Sequence, residues 1–488
     1  MRKNIKVIGS GFSSLSAACY LAKQGHEVTI YEKNATVGGR ARQLKENGFT
    51  FDIGPTWYWM PDIFERFFAD FNKKPSDYYE LHKLSPAYTV YFGINEFVTI
   101  ADNLPEIIET FESIEKGSGK KLGAFMAEAK SNYDIAIKDL VYNPGVSPLE
   151  LVTLETARKI AQFISNISRD VHRKFSNKKL IQILEFPVLF LGAKPSDTPS
   201  FYSFMNYADF GLGTWHPKNG MYSVVLAIEK LALELGVKIE TDSNISKIIV
   251  QNKKATGLIV NDKTVAADII LSGADYHHTE TLLEKNHRSY SEKYWESRVF
   301  APSALLFYVG FDKKIEAVSH HTLFFDVDFD AHAKAIYDNP EWPKEPLFYA
   351  SFPSKTDNGA APEGSEAAIF LIPLAPGIGD NEFLRSKYFE KIITRLEKLT
   401  QQNLKNNIIF KQSFGVKDFV NDYNSYKGNA YGMANTLLQT HFLRPKIKSK
   451  KVQNLYFTGQ LTVPGPGVPP ALISGKLAAG LIEKHLVS

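Results

Sequence analysis

The chain has 488 residues, 44% of them hydrophobic, and 57 Lys and Arg against 53 Asp and Glu, for a formal net charge of +4. That length is too great for one simple core and predicts two interleaved domains. The apolar content and near-balanced charge exclude a disordered chain and leave nucleic acid without a role, and the single cysteine, Cys19, excludes a disulfide framework or a Cys-based metal site.

Near the start, Val7-Ile8-Gly9-Ser10-Gly11-Phe12-Ser13-Ser14 reads as a strand, a Gly-rich turn and the beginning of a helix. Leu15, Ala18, Cys19 and Ala22 recur at helical spacing and predict one face laid on a sheet, with Gly25 ending the helix. Val28-Thr29-Ile30-Tyr31-Glu32 is then a second strand ending in an acid. Such a unit binds the ADP half of a dinucleotide. Gly9 allows the tight turn, Gly11 lets the backbone approach a pyrophosphate, and the helix start at Ser13 and Ser14 offers its N–H groups. Glu32, 21 residues beyond Gly11, is spaced to accept hydrogen bonds from a ribose diol.

The next stretch selects the dinucleotide. Lys33 and Asn34 lead to Gly38-Gly39-Arg40, and an extended segment from Gly48 ends at Gly54-Pro55-Thr56. A nicotinamide site needs no second Gly-rich turn, whereas a flavin needs more backbone along its ribityl chain and ring. FAD is therefore expected, with Arg40 on the pyrophosphate and Gly54 letting the chain pass close to a flat ring.

Aromatics follow at once: Trp57-Tyr58-Trp59, Phe64, Phe67, Phe68 and Phe71, then Phe186 to Leu191 and Phe201 to Met205. With 34 Phe and 23 Tyr, these can line a long apolar tunnel. Two basic runs, Arg173, Lys174, Lys178, Lys179 and Arg444, Lys446, Lys448, Lys450, Lys451, are candidates to attract anionic headgroups at about 1 kcal/mol per charge. Between them lie a helical pattern from Ser223 to Leu235, a short strand at Val237 to Ile239, alternating stretches at Ile245 to Ile248 and Gly257 to Val260, and a strand over Asp268 to Asp275.

At the far end Asn454 to Gly459 is a buried strand running into a glycine. The rigid segment Pro464-Gly465-Pro466-Gly467-Val468-Pro469-Pro470 then leads into a helix over Ala471 to Leu486. Such a segment suits the polar edge of a flavin. No run reaches the roughly 20 apolar residues of a membrane span, and Leu180 to Gly192 is interrupted by Gln182, Glu185 and Pro187. Met1-Arg2-Lys3-Asn4 enters a strand directly and leaves no room for a signal peptide, so a cytoplasmic location is expected, with peripheral contact at the inner face of the cell membrane. His277-His278 and His320-His321 lack partner carboxylates at ligand spacing, so no metal is expected. Glu185, Asp197 and Asp209 are the acids of the aromatic region, and none is singled out as a catalytic base.

These blocks resemble the bacterial phytoene desaturase type of FAD-dependent carotenoid desaturases, within the wider flavin amine oxidase superfamily. The likeness runs over Ile5 to Trp59, Trp215 to Asp275 and Asn454 to Gly480. It implies an α/β fold, a Rossmann-like FAD-binding domain with an interleaved α+β substrate domain. The first would take residues 1–64, 215–285 and 441–488, and the second 65–214 and 286–440. Gly9, Gly11, Glu32, Gly39, Arg40, Gly54 and Thr56 would meet non-covalent FAD, as would Gly459, Gly467 and Val468, with Ile245 on the adenine side. Ser13, Ser14, Lys33, Gly38, Pro55 and Pro469 complete the expected cofactor set. Ser14 and the Pro-rich tail depart from the family pattern.

The implied substrate is an acyclic carotenoid, with oxygen or a quinone as electron acceptor. The favoured reaction takes phytoene stepwise towards lycopene by hydride transfer to flavin. Two other flavin reactions stay open, a 1-hydroxycarotenoid 3,4-desaturase and a carotenoid isomerase, beside a prenyl-lipid carrier or escort protein that does no redox work.

Overall fold

The computed structural model describes residues 2–138, 140–189 and 192–487. Its organising element is a parallel five-stranded sheet. The strands are β1 (Asn4–Ile8), β2 (Glu27–Tyr31), β3 (Lys238–Glu240), β4 (Ile269–Ser272) and β5 (Leu455–Phe457), in the order β5-β4-β1-β2-β3. Three distant stretches of chain thus close one sheet, with Ile5 beside Val28 and Ile269, and Ile270 beside Leu455. Parallel strands covered on both faces are largely apolar: Val7, Ile30 and Leu271 are fully buried, and the two buried polar side chains of β1 and β2 pair, Lys6 Nζ donating to Thr29 Oγ1 at 3.0 Å.

Helix α1 (Phe12–Lys23) joins β1 to β2. It ends as its sequence predicts: Gly25 takes φ +90°, its N–H donates to Ala22 O and that of His26 to Leu21 O. The burial of α1 differs from the single face expected. Nearly every residue from Phe12 to Leu21 is buried, because two further helices cover it, α2 (Tyr222–Glu234) and α3 (Val468–Val487). Small side chains allow this. Ser16 Oγ donates to Leu472 O of α3 at 2.8 Å, and the Cys19 thiol lies 3.9 Å from Ile228 O of α2. Between β3 and β4 the chain forms an antiparallel ribbon of three strands, Ile245–Gln251, Lys254–Val260 and Lys263–Ala266.

A second, mixed sheet has seven strands. Its middle is Ser303–Phe311 and Glu366–Leu374, continued by Phe348–Ser351, His321–Phe324 and Tyr88–Gly93. Alternation along Ser303–Phe311 divides the two faces. Leu305, Phe307 and Val309 pack on Phe389, Ile392 and Leu396 of the helix Glu382–Thr400. Ala304, Leu306 and Tyr308 face the other way, onto Phe49 and Phe51. That second face forms a wall of the candidate site. Helices Pro61–Ala69, Ser118–Lys138 and Lys178–Leu189 roof the apolar region opposite it. Phe190 and Leu191 of the expected aromatic set lie outside the described residues.

Candidate active site

Two cavities meet at the turn Gly54-Pro55. The first, about 280 Å³, runs along the C-terminal edge of the parallel sheet. Gly9 and Gly11 line it from the turn between β1 and α1, Ser13 from α1, and Glu32 and Lys33 from the end of β2. Gly38, Gly39, Arg40, Gly54 and Pro55 form one side, Ile245 another, and Gly459, Gly467 and Val468 the floor beneath α3. Ser14 is buried behind this wall, and Thr56 and Pro469 face the second cavity instead.

The first cavity carries features that favour an anionic ligand. The N-terminus of α1 points into it with no acidic residue in its first turn, so its dipole and free N–H groups favour a phosphate. Arg40 is half-buried, with its Nε out of contact with solvent. Its Nη2 donates to Ser425 Oγ at 2.8 Å and to Asn429 O at 3.4 Å, while its Nε finds no hydrogen-bond partner. Burial pulls its pKa down, opposed by the nearby Asp275 carboxylate, yet a guanidinium stays protonated. A half-buried guanidinium whose buried Nε–H has no partner among the described residues is a place for an anion. Glu32 is held rigid: Oε2 accepts from Ser10 N and Oγ at 2.9 and 2.7 Å, and Oε1 from Asn34 N and Nδ2, both at 2.9 Å.

Two glycines here are fixed by close approach. A Cβ on Gly54 would stand 1.8 Å from Arg40 O, so chain meeting chain, and not only room for a flat ring, excludes any larger residue. A Cβ on Gly273, just past β4, would stand 2.0 Å from Ser14 Oγ. Ser14 therefore takes the third place of the Gly-rich fingerprint because Gly273 gives up the space on the opposite strand. Several lining residues lie outside the expected cofactor set: Asp275 and His278 after β4, and Asp422, Tyr423 and Tyr431. His278 is held below the ordinary imidazole range by burial.

The second cavity, about 600 Å³, is an apolar space. Trp57, Trp59, Phe186, Phe204, Phe325 and Leu371 wall it, and Gly54, Pro55, Leu371, Tyr431, Gly467 and Val468 border both cavities. Its polar groups are few. His332 is engaged at both nitrogens, with Pro373 O and Leu347 N. Tyr349 Oη lies 2.8 Å from Thr56 Oγ1 and 2.7 Å from His321 Nδ1. Of the three acids noted in sequence, none lines this cavity. Asp209 accepts from Tyr88 Oη at 2.7 Å, and burial pushes its pKa up to about 8.

Several charges of the basic runs are engaged by the protein itself, whereas Lys178, Lys450 and Lys451 are exposed. Arg444 is buried, and its guanidinium donates to the carbonyls of Met433, Gln439, Gln460 and Thr462. Lys446 donates to Gly145 O and Phe442 O. Lys174 and Arg173 pair with Asp170, and Lys179 with Glu96. Sequence shows where the charges cluster but not the carbonyls and acids that engage them. The exposed feature near the second cavity is apolar. Val146, Leu149, Val152, Leu154, Ile160 and Ile164 are all more than half exposed, Leu149 and Ile164 at 75% and 78%. Leu151 and Phe163 of the same stretch line the cavity. Among the described residues no helix is long and apolar enough to cross a membrane, and no cluster of His, Cys, Asp and Glu is arranged to hold a metal ion.

A dinucleotide trough opening into an apolar chamber, over a parallel sheet closed by three stretches of chain, defines an FAD-dependent oxidoreductase. Residues 12–482 match the family described as flavin containing amine oxidoreductase. A carotenoid 3,4-desaturase from Haloarcula japonica is 39% identical over 99% of this chain and 98% of its own length. A 4,4'-diapophytoene desaturase (4,4'-diaponeurosporene-forming) from Staphylococcus haemolyticus is 31% identical over 97% of each. A crystal structure of an oxidoreductase from Methanosarcina mazei superimposes with a TM-score of 0.64 at 18% identity, covering 98% of this chain and 99% of that one; at that identity the likeness speaks for the fold alone. The chain belongs to the flavin containing amine oxidoreductase family and, within it, to the carotenoid desaturases. Its cofactor is FAD and it acts on carbon–carbon bonds.

Proposed function

We propose that this enzyme desaturates the linear end of an acyclic carotenoid, most specifically at the 3,4 bond of a 1-hydroxylated substrate. The observation that carries an acyclic substrate is the apolar chamber meeting the cofactor trough at Gly54-Pro55. The 3,4 position is favoured by the 39% identity to the carotenoid 3,4-desaturase, against 31% for the diapophytoene desaturase. Stepwise desaturation of phytoene towards lycopene is the second reading, since it needs the same trough and chamber. Bound FAD supplies the two-electron acceptor, with oxygen or a quinone to reoxidise it. The chain's own contribution is to align the polyene between Trp57, Phe186 and the Gly467-Val468 floor and to keep water out, which makes the reacting pair effectively intramolecular.

The residues set around the first cavity, from Gly9 to Pro469, are proposed to hold the cofactor. Thr56 and Pro469 would do so from the chamber side, and Ser14 from behind the wall. The division at residues 1–64, 215–285 and 441–488 against the rest is proposed on the same footing. Substrate is proposed to come from a lipid bilayer at the inner face of the cell membrane, through contact of the exposed aliphatics at 146–164. Aliphatic groups beside an apolar chamber are suited to that contact. The test is to load the protein with FAD and offer phytoene and a 1-hydroxylated carotenoid separately in liposomes. Turnover of the hydroxylated carotenoid alone is expected; a lycopene-like product from phytoene would select the second reading, and no turnover of either would refute both.

A further inference from the structure

The proton released by desaturation finds no carboxylate among the described residues that line the chamber, but it has a path. Two hydrogens leave adjacent carbons as the new C=C bond forms: one departs with its electron pair to bound FAD, the other as a proton. We propose that Thr56 and Tyr349 collect that proton at the junction of the two cavities and hand it to His321, a buried imidazole that serves as its sink. The proposal rests on the desaturase reading above.

The geometry supplies a continuous path for the relay. Thr56 and Tyr349 line the chamber, and their neighbours Gly54 and Pro55 line both cavities. Thr56 Oγ1, Tyr349 Oη and His321 Nδ1 form a continuous chain at 2.8 and 2.7 Å. Burial holds His321 far below the ordinary imidazole range and raises the Tyr349 phenol above its own, so the ring is neutral and the phenol keeps its hydrogen; in the proposed relay the phenol donates and Nδ1 accepts. His321 then carries its hydrogen on Nε2, an atom with no hydrogen-bond partner among the described residues. Tyr349, having given its only hydrogen to Nδ1, accepts from Thr56. The lone pairs of Thr56 Oγ1 remain for the substrate.

On arrival of the proton each bond shifts by one place. Thr56 keeps the new hydrogen and passes its own to Tyr349 Oη. Tyr349 passes its own to His321 Nδ1, and the ring becomes an imidazolium. A hydroxyl is a sufficient first acceptor because the carbon beside a developing polyene cation is strongly acidic. The imidazolium would be stabilised by Trp57, whose ring is stacked on it at 4.0 Å and 11°. The other groups facing it are the His320 ring at 4.5 Å and, beyond that, His216, which lies 3.5 Å from Asp357 Oδ2. His320 and His216 both lower the charge His321 can hold if they are themselves protonated. Asp357, held down to about 2 by His216 and by backbone N–H groups, is the counter-charge at the outer end. His320-His321 thus finds a use as a proton acceptor and not as a metal ligand.

The test uses FAD-loaded protein, Tyr349→Phe and His321→Gln, in anaerobic single turnover with the carotenoid that the wild type accepts, across pH. The wild-type rate is expected to fall on the acid side, where His321 is already protonated. Each variant is expected to keep its FAD and lose 10- to 100-fold in rate, within or just below the range of general-base contributions, and His321→Gln to lose the acid limb. In the unloaded protein, ¹⁵N spectra of labelled histidine should show His321 protonated at Nε2 and not at Nδ1. Variants with the wild-type rate and acid limb, or a His321 protonated at Nδ1, would overturn the relay. A wild type that no carotenoid reduces would overturn the desaturase reading instead.

Discussion

Replacing Glu32 by Gln probes whether the dinucleotide site is built before its ligand arrives. Each carboxylate oxygen accepts one backbone and one side-chain donor, from Ser10 on one side and Asn34 on the other. An amide NH₂ has to face one of those pairs. Towards Asn34 it meets a fixed N–H and a side-chain amide that can accept only by flipping, which turns its oxygen towards Asp422 O, now 3.5 Å from Nδ2. Towards Ser10 it meets one fixed N–H and a hydroxyl that can rotate to accept. The second orientation costs less, yet it leaves the buried Ser10 N–H without its charged partner. Hydrogen bonds to charged groups are worth about 1.5–3 kcal/mol each, so Glu32→Gln should destabilise the FAD-free protein by about that amount. The assay is the first urea unfolding transition of the FAD-free protein, with FAD affinity measured separately. An unchanged transition with weakened FAD binding would refute the reasoning, since Glu32 would then matter only through the ribose.

Further expectations concern other parts of the molecule. Asp209→Asn removes a carboxyl that burial holds at about 8 when folded, against about 3.9 when unfolded. The folded state keeps that proton while the unfolded state loses it, so wild-type stability falls between pH 4 and 8 by up to about 1.4 kcal/mol per unit. The variant should gain on wild type across that window in urea titrations; parallel curves would contradict this. Changing Leu149, Val152, Leu154 and Ile164 to Ser should weaken liposome binding by at least about 4 kcal/mol, near 10³-fold, taking about 1 kcal/mol for each partly exposed aliphatic. Equal co-sedimentation of variant and wild type would show that the membrane contact lies elsewhere. Trp57→Ala and Trp59→Ala should alter the product pattern on chromatography more than FAD content, because both rings line the chamber and neither lines the trough.

The legible part of this chain is the part governed by local rules. The turn at Gly9 to Gly11, the helix stop at Gly25 and the acid at Glu32 are all fixed within one βαβ unit, so spacing alone locates them. Helix α3 was legible for the same reason, although it begins at Val468, with Pro469 and Pro470 in its first turn, where a missing N–H costs nothing. What sequence left hidden depends on distant chain meeting distant chain. Ser14 reads as a defect until Gly273 appears opposite it. Thr56, Tyr349 and His321 come from three separate segments, and only the second sheet brings them into line. Arg444 reads as one charge in a basic run, but its partners at 433, 439, 460 and 462 are backbone carbonyls, which carry no signature in residue type.

The most direct test of the account is an anaerobic single turnover that follows flavin absorbance and carotenoid spectrum together. The account predicts loss of the oxidised-flavin band in step with a red-shifted polyene, one new double bond for each FAD. A carotenoid that changes geometry while the flavin stays oxidised would contradict it and identify an isomerase on the same fold.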